Sequence, residues 1–81
     1  MGETRTEQMQ PEVAKHTSIH VNGEAARTRA ASLADLVAER GFAENAVATA
    51  LNGEFVARHA RAATQLSPGD HVEIVAPRQG G

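Results

Sequence analysis

Two Asn-Gly dipeptides, Asn22-Gly23 and Asn52-Gly53, set most of what this chain can fold into. Asn-Gly is the strongest short-range hairpin signal, because a two-residue turn that matches strand twist needs positive φ at both turn positions. Each dipeptide lies between segments with strand character. Before the first, Ser18-Ile19-His20-Val21 alternates polar and apolar, so Ile19 and Val21 point inward. Glu24 to Arg29 returns as an alanine-rich second strand, with Arg27 and Arg29 on one face and Ala26 and Thr28 on the other. Before the second, Ala46 to Leu51 reads as a third strand. Val47, Thr49 and Leu51 share one face of it, and Ala46, Ala48 and Ala50 the other. Glu54-Phe55-Val56 is its return.

Between the hairpins the period changes from two to that of a helix. Ser32 is placed as the N-cap, with Asp35 three residues on as a short-armed capping partner. Leu33, Leu36 and Val37 form an apolar stripe at i, i+3 and i+4. Gly41 suits the left-handed C′ position, and Phe42 beyond it is expected to fold back on Val37. The helix so defined runs from Leu33 to Arg40. Arg58 to Gln65 is polar and alanine-rich, a loop with a turn of helix, anchored by Leu66. Ser67-Pro68-Gly69-Asp70 has proline and glycine in type II turn positions. Val72 and Ile74 then face inward on a last strand, Val72-Glu73-Ile74-Val75-Ala76. Hairpin, helix, hairpin, loop and strand bury one helix stripe against one sheet face, which describes an α+β roll of about 65 residues.

The rest of the composition narrows function by exclusion. Eighty-one residues make one small domain, with a stability on the order of 3–5 kcal/mol. The absence of cysteine removes disulfides, thiolate metal sites and a thiol nucleophile. Eight Lys+Arg against ten Asp+Glu, with no basic block and no Trp or Tyr, argue against nucleic-acid binding. No apolar run approaches the roughly 18 residues of a membrane span, and no signal segment opens the chain. A cytoplasmic monomer is the expectation. Residues 1–16 lack either hydrophobic period and read as a disordered extension. Residues 17–76 form the domain and 77–81 a tail. His16, His20, His59 and His71 match no metal-ligand spacing, so no metal is expected. Asp35 and Glu39, one helical turn apart, read as a solvated helix face and not as an acid–base pair.

The tail is Pro77-Arg78-Gln79-Gly80-Gly81. Proline has no N–H for a sheet ladder, so it marks where the last strand stops. Two glycines then make a thin, conformationally free end carrying a carboxylate. Small residues also collect at termini that simply fray. Two longer stretches bear on the choice. Ala50-Leu51-Asn52-Gly53-Glu54-Phe55-Val56, together with Gly69-Asp70-His71-Val72-Glu73-Ile74-Val75-Ala76 and this tail, resembles the ThiS family of sulfur carriers, which have the β-grasp (ubiquitin-like) fold. The resemblance covers residues 17 to 81 and is most specific at the C-terminal end. Two features depart from the family: the extension is extra, and Ala57-Arg58-His59 stands where Pro-Arg-Ser is usual.

The resemblance implies a function in thiamine biosynthesis, as a carrier and not an enzyme. A ThiF-type adenylating enzyme would use ATP to activate the Gly81 carboxylate. A sulfur donor protein would convert it to a thiocarboxylate, and a ThiG-type synthase would use that sulfur in thiazole formation. The carrier itself would bind no cofactor. Gly80, Gln79, Arg78 and Pro77 would thread the partner's channel. Ala50 and Val75, with Ala46 and Ala48, would form a shallow patch on the outer sheet face of the kind on which β-grasp carriers dock partners; an ordinary solvent-facing sheet side is the alternative. A MoaD-like carrier for molybdopterin, a ubiquitin-like modifier and a passive β-grasp binding module are the competing readings of the same chain.

Overall fold

A computed structural model describes residues 16–77. Five strands form one mixed sheet in the order β2-β1-β5-β3-β4, where β1 is Thr17–Val21, β2 Glu24–Thr28, β3 Ala48–Leu51, β4 Glu54–Val56 and β5 His71–Val75. The two hairpins pair antiparallel, as does β5 with β3, whereas β5 runs parallel to β1. The strand that leads into the tail is therefore the central one, held from both sides.

Both Asn-Gly turns take positive φ at both residues, 52° and 86° in the first and 50° and 86° in the second. Their asparagines do more than turn the chain. The Asn22 side-chain amide donates to the Ile74 carbonyl (3.2 Å) and accepts from the Ile74 N–H (2.9 Å). The Asn52 amide donates to Asp70 Oδ1 (3.1 Å) and accepts from the His71 N–H (2.8 Å). Each hairpin thus clips the central strand near one of its ends, occupying backbone groups that would otherwise need a partner.

The helix α1, Leu33–Glu39, packs its stripe of Leu33, Leu36 and Val37 on the inner sheet face. Ser32 Oγ accepts from the Asp35 N–H at 3.1 Å, the expected cap. The helix ends one residue earlier than expected, with Arg40 as its C-cap. Gly41 takes φ 84°, and the N–H groups of Gly41 and Phe42 donate to the carbonyls of Ala38 and Val37. That pair of bonds is the Schellman stop anticipated from Gly41 and Phe42. Ile19, Val21, Val47, Val72 and Ile74 complete the core, with Leu66 packed against it. Burying each such side chain contributes about 1.5–3 kcal/mol.

The sequence reading is corrected at two places. Glu39 is not merely solvated: its Oε1 accepts from Thr28 Oγ1 at 2.7 Å, and Thr28 in turn accepts from the Ala30 N–H. This ties the end of β2 to the end of α1. The third strand begins at Ala48 and not at Ala46, because Glu44–Ala46 forms a 3₁₀ turn. The reason is a lack of partners. On one side the ladder ends at the Ala48–Val75 pair, shortly before Pro77; on the other it ends at Thr49–Val56. The Val47 carbonyl goes instead to a side chain, that of Arg61.

Candidate functional site

Strand pairing decides which side chains share the outer face. Ala48 lies opposite Val75, and Ala50 lies between Glu73 on β5 and Phe55 on β4. Ala48 and Ala50 are half-buried, while Val75 is 55% and Phe55 73% exposed. Ala48, Ala50, Phe55 and Val75 therefore share the outer face as an apolar strip bordered by Glu73, with Phe55 as its largest member. Phe55 was missed as a patch residue, although a signal for it was available. A two-residue Asn52-Gly53 turn fixes Leu51 opposite Glu54 and Ala50 opposite Phe55, so Phe55 must share the face of Ala50. Ala46, placed in the patch by sequence, leaves the sheet with the 3₁₀ turn.

Pro77 is exposed and lines a hollow of about 300 Å³ with Asn45, Ala46, Val47 and Ala48. The chain thus leaves the central strand at the end of the apolar strip. Arg78, Gln79, Gly80 and Gly81 lie outside the described residues, as does the expected extension up to Lys15.

A second hollow, of about 270 Å³, shares Asn45, Val47 and Ala48 with the first and is lined by Glu44, Phe55, Arg58 and Arg61 as well. Its wall includes a side chain that the sequence reading passed over. Arg61, in the 3₁₀ helix Arg58–Ala63, is only 3% exposed. Its Nε donates to Thr49 Oγ1 (3.0 Å), and its terminal nitrogens donate to the carbonyls of Glu44 (2.8 Å) and Val47 (2.7 Å). Thr49 passes the bond on to the Val56 carbonyl at 2.8 Å. One guanidinium therefore braces the start of β3, the turn before it and, through Thr49, β4. No periodicity marks Arg61 out in an alanine-rich stretch.

The histidines meet in one place. His20 and His71, side by side on the parallel strands, stack with ring centroids 4.5 Å apart and planes 6° from parallel. Among the described residues no cluster of three or more His, Cys, Asp or Glu is arranged to hold a metal. No described helix is long and apolar enough to cross a membrane.

The central strand therefore ends beside an apolar surface with Arg58 and Arg61 at its margin. Comparison with known proteins points the same way. The sequence profile of the ThiS family matches residues 19–81. The crystal structure of a thiamine biosynthesis protein (ThiS) from Geobacter metallireducens superposes with a TM-score of 0.66 at 30% identity, covering 80% of this chain and 100% of the other. A solution structure of a thiamine biosynthesis protein from the same organism gives 0.68 at 30% identity, over 80% and 88%. These matches bear out the β-grasp fold expected from the sequence. Among curated proteins none matches.

Proposed function

This chain belongs to the ThiS family, and we propose that it is the sulfur carrier of a thiamine pathway, with Gly81 as the residue that carries the sulfur. The observation that carries this reading is the family match, which runs through the last strand and the tail to Gly81. It favours thiamine biosynthesis over the molybdopterin, modifier and passive-module alternatives.

The chemistry asks little of the carrier and much of its partners. A carboxylate is a poor electrophile, because its charge is spread over both oxygens and its leaving group would be oxide. An adenylating enzyme of ThiF type transfers AMP from ATP to the Gly81 carboxylate, with release of pyrophosphate. A sulfur donor then displaces AMP and leaves a C-terminal thiocarboxylate. That sulfur is the nucleophile delivered to a ThiG-type thiazole synthase. The carrier's part is to present the chain end at a fixed distance from a docking surface. The clips of Asn22 and Asn52 on β5 support this, since they hold the strand that sets where Pro77 emerges. The strip of Ala48, Ala50, Phe55 and Val75 is the docking surface in this reading.

The test is the intact mass of the purified chain after incubation with its adenylating enzyme, ATP and a sulfur donor. Gain of the mass difference between sulfur and oxygen is the expected result. A covalent conjugate would make the chain a modifier, and an unchanged mass would make it a passive module.

A further inference from the structure

We propose that the notch bounded by Phe55, Ala48, Arg58 and Arg61 seats an acidic side chain of the docking enzyme, next to apolar side chains that lie on the strip. The proposal rests on the carrier reading and names the chemistry of the partner at that surface.

Arg61 is buried, yet each of its three hydrogen bonds goes to a neutral oxygen. A buried cation is ordinarily paired with a carboxylate or other anion. Each terminal nitrogen of Arg61 has a further N–H beyond the one engaged, and Arg61 is among the residues that line the notch. Arg58 stands three residues earlier in the same 3₁₀ helix. In a 3₁₀ helix residues i and i+3 eclipse one another, so the two arginines lie on one side of it. Arg58 is exposed and has no hydrogen-bond or ion-pair partner among the described residues. Glu44, the one acid lining the notch, forms no ion pair with either arginine. The site therefore presents two cations, one of them rigidly braced, beside a single acid that pairs with neither.

A hollow of about 270 Å³ falls just below the roughly 300–1,000 Å³ of small-molecule sites, so it suits a side chain better than a cofactor. Val47, Ala48 and Phe55 give it an apolar side, Glu44 and Asn45 a polar one, and Ala48 is shared with the strip that ends beside Pro77. An acid seated here would be flanked by apolar contact and would fix the partner close to where the tail departs. Charge complementarity of this kind sets orientation and association rate.

The experiment uses the full chain and the adenylating enzyme of the same source, with affinity measured by calorimetry at low and high salt. Arg58→Glu should weaken binding by about tenfold or more at low salt, Arg58→Gln by less, and Arg58→Lys least. Raising salt should narrow these differences. Arg27→Glu, an equal charge reversal on β2 at the far side of the sheet, should leave affinity unchanged. Arg58 and Arg27 variants with the same affinity would overturn the proposal. Tighter binding by Arg58→Glu would also overturn it, because a notch that seats an acid cannot gain from a negative charge. Pyrophosphate release is followed in the same samples. If the wild-type chain is not adenylated, the carrier reading fails; if it is adenylated and Arg58 variants bind normally, only the notch assignment fails.

Discussion

Replacing Arg61 with methionine tests the brace that shapes this surface. The substitution keeps much of the apolar stem and removes the bonds to Thr49 Oγ1 and to the carbonyls of Glu44 and Val47. Bonds from a charged donor are each worth about 1.5–3 kcal/mol, and their simple sum would exceed the stability of a domain this small. Two effects reduce it. Taking a guanidinium out of the interior recovers several kcal/mol of desolvation. The stranded groups are also not all orphaned: Thr49 still donates to the Val56 carbonyl, and Glu44 is exposed. A net loss of about 2–3 kcal/mol is expected. With a urea m-value near 1 kcal/mol/M, the midpoint should fall by about 2–3 M. Arg58→Met, which removes an exposed guanidinium that has no partner among the described residues, should change stability by less than about 0.5 kcal/mol. Equal midpoints for the two variants, followed by far-UV circular dichroism, would refute the reasoning that Arg61 braces β3.

Leu36 is fully buried against the sheet, so Leu36→Ala should cost about 2–4 kcal/mol in urea unfolding; a loss under about 0.5 kcal/mol would mean that the helix stripe is not what holds α1. Ala50→Arg places a long cation on the outer face between Phe55 and Glu73; the chain should stay folded and bind its adenylating enzyme more weakly, and unchanged affinity would remove the docking strip while leaving the carrier assignment intact.

The parts of the fold legible in the sequence are those fixed by local chemistry. Positive φ at Asn22-Gly23 and Asn52-Gly53 follows from the residues alone, and so do the Ser32 cap and the Gly41 stop. The central place of β5 was not legible, since no local rule states which strands a last strand will join. What was not legible depended on distant partners. Ala46 and Val47 carry strand-like residues, but the strands beside them end too early to pair with them. Glu39 has the spacing of a solvated helix face, yet Thr28, distant in sequence, donates to it. Arg61 sits in a stretch whose composition says loop, and only the fold shows that three acceptors converge on it. Phe55 falls between the two cases: its outward face follows from the length of the Asn52-Gly53 turn and the register that turn imposes.

The most direct test of the central claim is the formation of the acyl-adenylate and thiocarboxylate at Gly81, followed by mass spectrometry of the C-terminal peptide in three chains: the native one, one lacking Gly81, and one with residues added after it. Removing one residue withdraws the carboxylate by about 3.5 Å of extended chain. Reacting atoms must approach within about 3–3.5 Å, so the shortened chain should not be adenylated. The lengthened chain should fail because its carboxylate lies beyond the site. Both should unfold at the native midpoint, because the core is built from residues between Ile19 and Ile74. Sulfur found only on Gly81 of the native chain is the expected result. A thiocarboxylate on the lengthened chain, with the added residues still attached, would contradict the account.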